Sequence, residues 1–174
     1  NAKIKVVDGY AESDVENDIL KIMVFERHKA TGNIGKGFIK GFGLKSGAIA
    51  STVAHDAHNM IVIGTNDADM EMAAIELVKS QGGKVIVNNG EVVSKLPLPI
   101  AGLMSDQPFE TVLQQCHELK NGVKEIGCAL DDPFMTMAFL SLSVIPDLKI
   151  TDKGVFDVNK FDFIDIFDTE TVKA

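Results

Sequence analysis

Apolar and polar positions alternate or cluster in short blocks up to Gly64, then recur at helical spacing from Thr65 to Gly82, and this change of period divides the first half of the chain. "AKIKVVDGY" and "DILKIMVFER" are rich in β-branched and aromatic residues and flank the turn-like "ESDVEN", which predicts two early strands. "KATGNIGKGFIKGFGLKSG" carries five glycines between Gly32 and Gly43 and predicts a loop around a short irregular or helical piece. "GAIASTVAH" and "NMIVIG" then predict two strands joined by a polar turn from His55 to His58.

The segment "TNDADMEMAAIELVKSQGG" predicts a helix with Thr65 or Asn66 as its cap and acidic residues in its first turn. Met70, Ala73, Ala74, Leu77 and Val78 form its apolar stripe, and Gly82 ends it. In "KVIVNNGEVVSKL" the Asn-Gly pair between two alternating runs predicts a hairpin. The prolines of "PLPIAGLM" predict an extended or turning segment. A second helix is predicted from Pro108 to Val123, with Phe109, Val112, Leu113, Cys116 and Val123 as its stripe. "DDPFMTMAFLSLSVIPDLKIT" predicts a short helix from about Pro133 and then a strand. Last, "FDVNKFDFIDIFD" sets Phe156, Phe161, Phe163 and Phe167 among acids, either as a final strand over the core or as a surface that docks on another domain.

Strands, hairpins and helices in this order predict an α+β (mixed α/β) fold, a β-sheet with hairpins and two to three packed helices, rather than a repeating βαβ array. Residues 1–174 are expected to form a single globular unit, with the Phe-rich tail about 155–168 as its candidate docking surface.

Composition narrows the function. A formal charge of −8 and a pI near 4.9, with scattered lysines, argue against a nucleic-acid partner. No apolar run is long enough to span a membrane, so no membrane partner is expected. Cys116 and Cys128 are too few for a disulfide framework and read as reduced residues of a cytoplasmic protein. The opening "NAKIKVVDGY" has neither signal-peptide features nor an initial Met, and reads as the interior of something longer.

The glycine cluster does not meet the spacing of a phosphate loop. "GNIGKG" has two residues where a P-loop has four, and Gly35, Gly37 and Gly41 are spaced G-x-G-x-x-x-G, which misses the dinucleotide fingerprint. The zinc deaminase pattern of H-x-E with P-C-x-x-C is absent, and "HELKN" from His117 fails H-E-x-x-H. The stretch "HDAHN" is richer. As a turn between strands it gathers His55, Asp56, His58 and Asn59 at one sheet edge, and the helix start at Thr65, Asn66 and Asp67 is expected at the same end. Such a turn could ligate a metal or hold a His-Asp general base. Equally, Asp56 and Asn59 could simply bond turn amides.

"ERHKATGNIGKGFIKGFGLKSGAIASTVAHDAHNMIVIGTNDADM", followed by "GGKVIVNNGEVVSKLPLPIAGLMSD", resembles the C-terminal domain of bacterial adenine deaminases, members of the amidohydrolase superfamily. The likeness covers essentially the whole chain and is densest from Arg27 to Asp106; where the family commonly reads HDSHN, Ala57 replaces the serine. The resemblance implies hydrolysis of adenine to hypoxanthine and ammonia at a two-metal centre, manganese or iron, held in a (β/α)8 barrel upstream. Nothing here resembles that barrel, so the resemblance implies no metal ligands in this chain and an inactive isolated domain. It also implies as partners the barrel of the same polypeptide, adenine and a homo-oligomer. His55, Asp56, His58 and Asn59 are then the candidates near the purine site, with Thr65, Asn66 and Asp67 as candidate substrate contacts. Two alternatives stay open: a purely structural or oligomerisation domain, and a free-standing small-molecule-binding module.

Overall fold

A computed structural model describes residues 2–167. Its main element is a six-stranded antiparallel sheet built from β3 (Leu20–Phe25), β4 (Ile34–Ile39), β5 (Ala48–Ser51), β6 (Met60–Gly64), β7 (Gly83–Asn88) and β8 (Glu91–Pro97), in the order β4-β3-β6-β5-β7-β8. Both faces of its centre are covered, which is why β5 and β6 read as unbroken apolar runs rather than as an alternation. Ile22, Val24, Ile49, Ile61, Ile63 and Ile86 point into one core, and Ala48, Ala50, Met60, Val62, Val85 and Val87 into the other.

Helix α1 (Asp67–Lys79) covers the second face with Met70, Ala73 and Leu77, while Val78 is 70% exposed, because α1 lies over β5, β6 and β7 and leaves β3 open beside it. Helices α2 (Phe109–Glu125) and α3 (Pro133–Leu140) cover the first face. The expected α2 stripe is corrected here. Leu119, Gly122 and Val123 are buried, whereas Phe109, Leu113 and Cys116 are exposed, since the helix meets β7 and β8 through its C-terminal half.

Two other expectations change. "AKIKVVDGY" is not one strand but a tight hairpin, β1 (Lys5–Val7) with β2 (Tyr10–Glu12), turning at Asp8-Gly9, where both residues have positive φ. The glycine-rich segment contains strand β4 rather than a helical piece. Its inward positions are Gly35 and Gly37, so the period-2 pattern lacks the apolar residues that would have shown it. Those glycines are a seat. A second sheet of β9 (Leu148–Thr151), β10 (Gly154–Asp157) and β11 (Asp162–Ile164) packs on β4. A Cβ on Gly35 would overlap the Thr151 carbonyl, 2.9 Å from its carbon, and one on Gly37 would press on Ile150 and Val155. The Phe-rich tail therefore builds this small sheet, which covers the β4 edge of the main core through Ile150 and Val155. Phe156 packs edge-on against Phe161 and Phe163, whose outer faces stay exposed; position 168 lies outside the described residues.

Candidate functional site

The connection between β5 and β6 is clamped from three sides. At its root, the Thr52 hydroxyl donates to the Gly102 carbonyl at 2.7 Å and accepts from the Gly83 amide at 2.8 Å. The register Phe25↔Met60 between β3 and β6 brings the residues after β3 beside the turn. Arg27 there donates through Nε to the His58 carbonyl at 2.6 Å and through Nη2 to the Ala101 carbonyl at 2.7 Å, strapping two loops together. His28 Nε2 lies 2.6 Å from the Ala57 carbonyl, which can only accept, so that nitrogen carries the proton. His28 is itself placed by Glu26, whose carboxylate accepts the amides of His28, Lys29 and Thr31. These bonds, with the Thr31 amide foremost, hold Glu26 down to about 2. On the third side, Ser141 Oγ donates to the His55 carbonyl at 3.2 Å, and the His55 ring packs on Phe139 at 4.9 Å.

Within the turn, His58 has φ 48°, its amide bonds the Ala54 carbonyl at 2.6 Å, and its Nδ1 accepts the Ala54 amide at 3.2 Å. That acceptor role requires an unprotonated Nδ1, and partial burial with the neighbouring His55 and Arg27 lowers the His58 pKa in the same sense. His58 is thus held as a neutral imidazole with an Nε2–H donor. Among the described residues, the His55 ring nitrogens, the Asp56 carboxylate and His58 Nε2 have no hydrogen-bond partner in the chain. A rigid backbone therefore presents a neutral donor, a second imidazole and a carboxylate outward, a set able to hydrogen-bond a heterocycle edge or relay a proton.

Asn59 is different: it is buried and donates to Asp152 at 3.2 Å, next to the seat formed by Gly35.

The helix start is not beside this turn. β6 separates the two groups, and five extended residues at about 3.4 Å each place them roughly 17 Å apart, too far for one small ring to touch both. Thr65, Asn66 and Asp67 moreover already hold hydrogen-bond or ion-pair partners within the chain. Thr65 Oγ1 donates to the Gly47 carbonyl, Asn66 caps α1 through the Asp69 amide at 2.9 Å, and Asp67 pairs with Lys21 at 2.7 Å. Buried Asp69 completes the group by accepting the Gly90 amide at 2.8 Å, which fixes the Asn-Gly hairpin turn to the helix.

No three His, Cys, Asp or Glu side chains come together in a metal-binding arrangement among the described residues. His55 and His58 stand edge to face at 6.0 Å, but His58 Nδ1 is already an acceptor for Ala54. These residues do not fit the two-metal centre that the resemblance implies.

Residues 1–162 match the family model described as the adenine deaminase C-terminal domain. The chain belongs to that family. It is 56% identical over 92% of its length to an adenine deaminase of Desulfatibacillum aliphaticivorans, and 51% identical over 95% to one of Clostridium botulinum. A third, from Brucella anthropi, is 53% identical over 92%. In each case the chain spans 28–29% of the relative's length.

Arg27, His28, Ser141 and Asp152, which shape the turn, were not singled out from sequence. Arg27 and His28 had a faint signal, a charged triplet directly after a strand; Ser141 and Asp152 are 86 and 93 positions from their partners and had none.

Proposed function

We propose that this domain serves, within a full-length adenine deaminase, to shape and cover the purine site through the turn from His55 to Asn59. The observation that carries this reading is the contrast between the two candidate groups. Around the turn the backbone is clamped by Arg27, His28 and Ser141 while the His55, Asp56 and His58 side chains keep open hydrogen-bonding groups. At the helix start, Asn66 and Asp67 are already taken up by the Asp69 amide and by Lys21.

Adenine hydrolysis would draw its manganese or iron chemistry from the rest of the polypeptide, whose metals would supply the nucleophilic hydroxide. This chain contributes position. His58 Nε2–H offers a donor to a ring nitrogen, Asp56 offers an acceptor to an amino group, and the turn excludes water from the site mouth. The test is catalytic efficiency toward adenine in the full-length protein. His55→Ala and His58→Ala are expected to lower it by about tenfold or more, in line with loss of a hydrogen bond to substrate at about 1.4 kcal/mol per tenfold. Unchanged efficiency in both would refute the reading. The isolated chain is expected to release no ammonia from adenine.

A second reading, that the domain docks on the amidohydrolase barrel or on a second copy, is favoured by a separate observation. An apolar groove of about 580 Å³ runs between α1 and β3, lined by Met23, Phe25, Met60, Met70, Ile75 and Val78. A groove with so few polar groups is suited to burial. The two readings are compatible, since docking would bring the turn to the purine site. Among the described residues no helix is long and apolar enough to cross a membrane.

A further inference from the structure

Behind the turn lies a cavity of about 170 Å³, walled by Val24 and Val144 and, on its polar side, by Asp56, Asn59, Ser143 and Asp152. Asn59 is 5% exposed, and its Nδ2 donates to Asp152 Oδ1 at 3.2 Å. Because a carboxylate can only accept, this bond fixes which way the amide points. Asn59 Oδ1 is then left buried with no partner. Buried acceptors are rarely left so, and this one lines a cavity whose polar wall consists of two carboxylates, an amide oxygen and hydroxyls. No Lys, Arg or His lines it. Whatever fills the space must bring positive charge or hydrogen-bond donors.

We propose that the cavity binds a compact monovalent cation, ammonium or potassium, with Asn59 Oδ1, Asp56 and Asp152 as its ligands. A divalent ion fits less well. Asp152 already accepts the amides of Asn59 and, at 3.4 Å, Asn33, which leaves Asp56 as the one carboxylate free of such bonds, while hard divalent cations favour several anionic oxygens. At about 30 Å³ per water, the space holds roughly five waters, or one such ion with part of its shell. The proposal shares Asp56 with the purine reading, but its test does not, because every ligand lies within this chain and no adenine is added.

The test follows the Asn59 side-chain amide of the nitrogen-15-labelled chain by NMR while potassium chloride or ammonium chloride is added, with choline chloride at equal ionic strength as the control. A saturable shift with potassium or ammonium and none with choline is expected. In Asp56→Asn, an exposed position without a hydrogen bond in the fold, the apparent Kd should rise by about tenfold. Saturation by ammonium alone would identify a site that uses directed N–H bonds, and saturation by both ions a site that reads size and charge; either supports the proposal. An equal response to all three salts, or an Asp56→Asn variant that titrates like the parent, would overturn it and leave a water as the partner of Asn59.

Discussion

Gly35→Ala adds one methyl group at the point where the small sheet meets the large one. Its Cβ would overlap the Thr151 carbonyl oxygen and stand 2.9 Å from the Thr151 carbonyl carbon and 3.2 Å from the Gly154 nitrogen. All three are backbone atoms of the β9–β10 hairpin, so no side chain can rotate away and the hairpin must lift. A lift of about 1 Å forfeits up to half of the dispersion energy across the contact. Overpacking of this kind costs about 1–3 kcal/mol. Ile150 and Val155, which rest on Gly37, would lose part of their packing as well, and Ile150 is buried. A total near 3 kcal/mol is expected, and for a chain of this size that lowers the melting temperature by roughly 6–12 °C. Thermal unfolding followed by circular dichroism measures it, with Lys36→Ala, an exposed side chain on the same strand, as a control expected within about 0.5 kcal/mol of the parent. If Gly35→Ala melts within about 2 °C of the parent, β4 is not the seat of the small sheet, and the placement of Asp152 on Asn59 loses its support.

Asp69→Ala removes the acceptor of the Asn89 and Gly90 amides and of Asn66 Nδ2, and should destabilise the chain by about 1–3 kcal/mol in urea unfolding while leaving the turn at His55 unchanged. His58 titrates below its ordinary value of 6.5 when folded, so the unfolded chain takes up the proton first as pH falls. Its contribution is therefore present above about pH 6.5 and lost as pH falls toward the folded value. His58→Gln should flatten the melting temperature between pH 7 and about 5, where no carboxylate with a lowered pKa yet titrates, and an unchanged slope would contradict the neutral imidazole.

Much of the fold was legible because local chemistry and tertiary placement agree. Asn66 caps α1, Asn89-Gly90 turns the β7–β8 hairpin, and β5 and β6 flank the polar turn, each from residues adjacent in sequence. The failures share a cause. Gly35 and Gly37 occupy inward strand positions where an apolar residue would have shown the period, because another backbone lies against them. Phe109, Leu113 and Cys116 keep helical spacing yet face solvent, since spacing does not reveal how far a helix overhangs its sheet.

The turn itself was legible as polar, but its place was not. Sequence proximity put "HDAHN" and "TND" together, whereas a single straight strand carries them to opposite ends of the sheet. Arg27 reaches the turn through the β3–β6 register, and Asp152 through a sheet some ninety positions away, at a separation of 93 from Asn59. Such contacts are products of topology rather than of motif.

Hydrogen–deuterium exchange in the full-length protein, with and without adenine, tests the central claim most directly. Amides of residues 53–59 should gain protection when adenine is present, while those at the start of α1, from Asn66 to Asp69, should not change. Protection confined to the α1 start, or no change at residues 53–59 under saturating adenine, would contradict the assignment of this turn to the purine site.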